Sequence, residues 1–294
     1  MSEPPPTLAA LVLPSLVPVA PSPFSPREKL IADTALSLQM TAASPDSAGV
    51  RALVYLGVEW VDRFTEMLGR IGSAGEQLAL ALATNKDARR WTAADASERD
   101  PQYATMGVRA QAEMTALWTL GSAHGLANAL VRALRLNTDA RQIVDSAFPG
   151  AAGFPPFSET QQAWVSFEPG VMRVARAAAG ASASPATVTI AASLSNLFGD
   201  KRWKDFLDLR NVGFHRHRPQ SVDGGTPKTS SVTHSPTSYS ISVGVGPSNV
   251  APQIDEVLAV AEAGLDLYSA AARVFDEHLF RAINELSGRQ MYTP

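Results

Sequence analysis

The chain contains no cysteine, which excludes thiol nucleophiles, disulfides and thiolate-bound metal centres. No apolar run approaches the ~18 residues of a membrane span, so no membrane partner is expected. Leu8 to Val19 is apolar, but Pro14 and Pro18 interrupt it and no positive segment precedes it. It makes a poor signal peptide, and the cytoplasm is the expected compartment. Charged residues fill only 18% of the 294 positions and the net charge is −3, so there is no global basic field of the kind that coats nucleic acid. Also missing are a Gly-x-x-x-x-Gly-Lys phosphate loop, a Gly-x-Ser-x-Gly elbow and a His-Glu-x-x-His pair. Gly244-Val245-Gly246 is too short for a dinucleotide fingerprint and lies in no βαβ unit. No cofactor is expected, and no internal repeat is visible.

What is present is helical periodicity. At 45% hydrophobic the chain can build one large core. Residues 1–24 are proline-rich and read as an extended or disordered tail. Ser25-Pro26-Arg27-Glu28 forms a capping box that opens a first helix to about Thr41. A second helix is expected from Ser44-Pro45-Asp46 to Gly72, since Val50, Leu53, Val54, Trp60, Val61, Phe64 and Leu68 hold helical period. A short Ala/Leu-rich segment over 76–84, a polar connection over 85–100 and a long helix from Pro101 to about Leu136 follow, with Gly121 and Gly125 as candidate breaks. Residues 139–147 read as one short helix. Residues 149–170 read as a structured loop, because Phe154, Phe157, Trp164 and Phe167 are too many aromatics to leave in water. Helices over 169–180 and 185–198 lead to another opened by Asp200. Pro219 ends that one, a strand over 239–245 with a partner near 231–234 is expected, and Pro252 opens a last helix to about Leu286. The expected fold is a mostly α multi-helix bundle, one domain over 25–288 with a hairpin insertion at 219–250 and a tail at 289–294.

The local rules break within residues 200–218. Trp203, Phe206, Leu207 and Phe214 form one apolar stripe, and at about 100° per residue Arg210 falls in its middle. An unpaired guanidinium there costs several kcal/mol, roughly, so it must meet a groove, a partner chain or a carboxylate. His215 shares a face with Asn211, four residues earlier. Arg210 and His215 stand about 140° apart on an ideal helix. They converge only if the helix ends or loosens near Gly213, or if a second copy supplies one of them. From Lys201 to Arg218 six Lys/Arg face two Asp, a local excess that suits phosphate, or an ordinary solvated helix face.

Arg210-Asn211-Val212-Gly213-Phe214-His215 resembles the Arg-polar-x-x-x-His signature of the HEPN (higher eukaryotes and prokaryotes nucleotide-binding) superfamily. The match covers six residues and includes all three polar positions. Its place on a late helix, with one long helix to follow, is how that family carries it. The resemblance implies a small helical bundle, commonly a homodimer, and in many members a metal-independent endoribonuclease of toxin–antitoxin or phage-defence systems, with RNA as substrate and an antitoxin or defence partner.

The residue chemistry agrees. RNA carries its own nucleophile, the 2′-hydroxyl. Cleavage then needs a group that moves a proton near neutral pH, as His215 can, and a two-pronged cation for the phosphorane, as Arg210 can. Asn211 can orient either. Lys204, Arg216, His217 and Arg218 are candidates for flanking phosphates, with a solvated helix end as the alternative. The competing reading pairs Arg210 with a buried carboxylate and makes His215 an ordinary helix-end residue, or keeps the motif in an inactive nucleotide- or RNA-binding scaffold. His215, His217 and His234 lack a carboxylate at ligand spacing, so no metal site is assigned. His278, beside Asp276 and Glu277, reads as surface decoration, and His124 as a packed or capping histidine.

Overall fold

The computed structural model describes residues 24–42, 45–93, 101–148, 164–215, 227–235, 238–245 and 254–292. Among these the architecture is mostly helical. Helix α1, Pro26–Ala42, starts on the expected capping box: Glu28 Oε2 accepts the Ser25 N–H at 2.8 Å, and Ser25 Oγ accepts the Glu28 N–H at 3.3 Å. Ile31, Ala35 and Leu38 are its buried stripe.

The single helix expected over 44–72 is two. Helix α2, Pro45–Tyr55, stops ahead of Gly57, whose φ of 104° is a left-handed conformation that glycine adopts without strain. A 3-10 turn, Val58–Trp60, leads into α3, Val61–Ala93. Gly72 does not end α3. It lies where α3 crosses α1, and a Cβ there would stand 2.5 Å from Ala42 Cβ. The polar connection expected from residue 85 is helix as far as Ala93, and Asn85 is fully buried.

Helix α4, Pro101–Leu134, runs antiparallel to α3 without a break at Gly121 or Gly125. Gly125 instead admits Ala74, whose Cβ would be 3.0 Å from an added Cβ. Ser122 Oγ lies 2.6 Å from the Ala74 carbonyl and 2.7 Å from the Tyr268 hydroxyl, tying α3 and α4 to the last helix. Helix α5, Thr138–Ala147, is capped by Asn137, whose side chain accepts the N–H groups of Asp139 and Ala140. Helices α6, Pro169–Ala181, and α7, Pro185–Asn196, follow, then a 3-10 turn, Leu197–Gly199, and α8, Lys201–His215. Of the loop expected over 149–170, residues 149–163 lie outside the described part. Phe167 is buried and Trp164 half-exposed.

The last helix, α9, is Ile254–Ser287. The largest fully buried side chains, Trp203, Tyr268, Phe64, Phe206 and Phe275, come from α3, α8 and α9. Within the expected tail, Met291 is buried, and Asn284 both donates to the Tyr292 carbonyl (2.7 Å) and accepts the Tyr292 N–H (2.9 Å). No described helix is long and apolar enough to cross a membrane.

Candidate nucleic-acid site at the end of α8

Helix α8 begins where Asp200 Oδ1 accepts the Arg202 N–H at 2.8 Å, a helix cap joined by an ion pair to the Arg202 guanidinium at 2.7 Å. Those bonds hold the Asp200 carboxyl below the usual carboxylate range. Next come the two side chains that fix the helix. Trp203 and Phe206 are fully buried, with ring centroids 5.1 Å apart, and Trp203 also stacks on Tyr268 at 6.3 Å. The Trp203 indole N–H has no hydrogen-bond partner among the described residues, so shape and not polarity holds it there. Phe206 lies over Gly264 of α9, where any Cβ would overlap the ring. One turn on, Leu209 packs against Ala112, Val257 and Ala261. Helix α8 therefore runs antiparallel to α9, and residues 210–215 head toward the first turn of α9.

The helix neither ends nor loosens at Gly213. It continues through His215. On that unbroken path position 210 continues the side of buried Trp203 and Phe206. Positions 211 and 215 continue the side of Lys204 and Asp208, both exposed. Arg210 and His215 stay about 140° and ~7.5 Å of rise apart. On helix geometry alone, positions 211 and 215 fall on one side with position 204, and position 210 on another. The side chains of Arg210, Asn211 and His215, and all of Arg216, His217 and Arg218, lie outside the described residues.

Neighbouring charges at this end are joined in ion pairs: Arg27–Asp266 at 2.6 Å, Lys86–Glu28 at 3.8 Å, Arg109–Glu113 at 3.2 Å, and Arg89 with Glu262. The bond to Glu262 raises Arg89 further. Burial pushes the Glu28 carboxyl up, but the Ser25 hydrogen bonds and the Lys86 and Arg89 charges leave it lowered overall.

A second polar row was missed from sequence although its spacing was available: His124, Asn128 and Arg132, every fourth residue of α4. Asn128 donates to the Val165 carbonyl (2.7 Å) and accepts the Val165 N–H (3.1 Å), while His124 Nδ1 accepts the Phe167 N–H (2.7 Å). The His124 proton then sits on Nε2 when the ring is neutral. Arg132 donates to the Asn128 side chain at 3.1 Å, and burial pushes its guanidinium down to about 9 against the opposing pull of Glu66. This row clamps residues 165–167 to the bundle, with His124 half-buried and holding the Phe167 N–H. His278 Nδ1 stands 3.1 Å from the Val274 carbonyl, one turn back on its own helix. Its neighbour Asp276 is more than decoration: burial raises its carboxyl, with a Ser37 hydrogen bond opposing. Among the described residues no three His, Asp or Glu stand together to hold a metal ion. Set against family models, characterised proteins and solved structures, the chain matches none of them.

Proposed function

We propose that this chain is a HEPN-like, metal-independent endoribonuclease of a toxin–antitoxin or phage-defence type, acting in the cytoplasm as a homodimer. The observation that carries the reading is the seat of Arg210-Asn211-x-x-x-His215: the last turns of a helix anchored by Trp203 and Phe206, with one long helix after it. A reactive group needs such a rigid carrier, because about 1 Å of misplacement costs much of the rate. The division of faces also supports a dimer, since a two-fold partner can set its Arg210 against His215 of the first chain.

In this reading His215 takes the 2′-hydroxyl proton, and the 2′-oxygen attacks phosphorus while Arg210 holds the phosphorane oxygens. The 5′-oxygen leaves with a proton from water, and His215 returns the proton it took to solvent, giving a 2′,3′-cyclic phosphate and a 5′-hydroxyl. Asn211 positions the pair, and Lys204, Arg216, His217 and Arg218 hold flanking phosphates. The architecture is then a HEPN-like bundle over 25–288 in which 219–250 is a hairpin insertion. The N-terminal helices and residues 149–170 serve substrate choice or a neutralising partner.

The test is cleavage of total tRNA and a mixed oligonucleotide pool in excess EDTA by wild type, Arg210→Ala and His215→Ala. Cutting by wild type, with each variant down at least a hundredfold, is the expected result. Equal background from three well-folded proteins would move the assignment to an inactive RNA- or nucleotide-binding scaffold. That second reading draws on the same division of faces, because one chain alone does not bring Arg210 and His215 together.

A further inference from the structure

Helix α2 is amphipathic with its apolar side outward. Ala52 is fully buried, whereas Val50, Leu53 and Val54 are 60%, 52% and 68% exposed, and Val58 in the next turn is 74% exposed. Leu36 and Met40 on α1 are likewise 57% and 64% exposed. A run of this kind on one helix face calls for a cover, and no described residue supplies one.

We propose that this face is the docking site for the chain's own residues 8–13. Three observations select that occupant. The first is composition. Between Glu3 and Arg27 there is no charged residue, and Leu8, Leu11, Val12, Leu13, Leu16 and Val17 fall within it. Arg51 is the one charge between Asp46 and Glu59, and it is held elsewhere, donating to the Met291 carbonyl at 2.6 Å and lying over the Tyr292 ring at 4.8 Å. Docking therefore strands no charge away from water.

The second is reach. The described chain starts at Phe24, whose ring stands 4.1 Å from Lys86 Nζ near the end of α3. Helix α2 meets the other end of α3, where a Cβ on Gly49 would touch Val61 and Thr65. Those levels are about 31 Å apart along α3. Pro14, Pro18, Pro21 and Pro23 favour an extended path of about 3.1 Å per residue, so roughly ten residues cross that distance. At that spacing a chain leaving Phe24 reaches the level of α2 at Leu13, with Leu8–Leu13 left to lie on its face. The third is size. A few side chains on an eleven-residue helix suit a short peptide, whereas a standard stable interface takes about 20–30 residues a side. This face also lies at the opposite end of the bundle from α8's last turns, so a dimer formed through it would not complete the Arg210/His215 pair.

Because the chain has no cysteine, one introduced pair reports the contact cleanly in the full chain. Leu11→Cys with Val54→Cys is compared with Leu11→Cys plus Val188→Cys; Val188 is a 45% exposed residue one turn beyond the α7 cap at the same end of the bundle. Mild oxidation is expected to link 11 to 54 within one chain at least tenfold faster than 11 to 188. Equal rates for both pairs would overturn the proposal. A link formed only between chains would overturn it in favour of a second copy as the occupant. Removing residues 4–23 is expected to speed amide exchange across α2 at least severalfold, and unchanged exchange there would also count against the proposal.

Discussion

Gly264 has no side chain because Phe206 occupies the space. A Cβ there would overlap the ring, and that ring stacks on Trp203, which in turn stacks on Tyr268. Gly264→Ala gains up to about 1 kcal/mol of helix propensity but overpacks a fully buried site, at a typical cost of about 1–3 kcal/mol. The expected net is a loss of about 1 kcal/mol in urea unfolding, and a variant as stable as wild type would refute this packing role. At this scale the sequence told only half of what mattered. The Trp203/Phe206 stripe was readable because it is periodic. Its glycine partner was not, because a glycine inside a helix looks the same whether it is idle or yields space to a ring 58 residues away. The motif residues Arg210, Asn211 and His215 were readable as types at a spacing. Whether the backbone relaxes at Gly213 was not, and it does not.

Among the elements, caps were the most readable feature, since their chemistry is local: Ser25 with Glu28, and Asp200 with Arg202. Helix α7 shows the limit. Its Ser184 cap accepts the Thr187 N–H at 3.2 Å, but Glu285 of α9 completes it, accepting Ser184 Oγ–H at 2.7 Å and the Ala186 N–H at 3.1 Å. No local pattern announces a carboxylate 101 residues away. Burial pushes Glu285 up, yet the bonds from Ser184, Arg281 and Ala186 hold it lowered overall. A carboxyl lowered by folding stabilises above its unfolded pKa and loses that contribution as pH falls through the folded one. Glu285→Gln should cost about 1 kcal/mol at pH 7, and the gap to wild type should close as the pH drops below the ordinary carboxylate range. Urea midpoints at pH 7 and across the acid limb measure this. A gap that is constant with pH would show that the charge is not what caps α7. Breaks between elements were misread for the same reason as Gly264: Gly57 turns the chain at φ 104°, whereas Gly72 and Gly125 let helices touch.

For the molecule as a whole, the mostly helical bundle was readable but not its two ends, which only tertiary packing defines. One end carries the last turns of α8 beside the first turn of α9. At the other, about 40 Å along α3, α2 is held by chain-terminal residues that sequence reasoning set aside as tail. Met291 is buried; Tyr292 lies 6.4 Å from Phe64 and 4.3 Å from Phe280, ring to ring; Arg51 reaches the Met291 carbonyl. Stopping the chain after Gly288 removes all of these at once. Losing a buried methionine alone costs about 2–5 kcal/mol, so truncation should lower stability by at least that and free α2, opening residues 43–60 to limited proteolysis. The α8 end touches none of these groups. If the chain cuts RNA as proposed, the truncated protein that remains folded should cut at close to the wild-type rate. Proteolysis at 43–60 with cleavage retained would establish that the two ends act independently; a folded truncation that loses cleavage would show that they are coupled through α3 and α9.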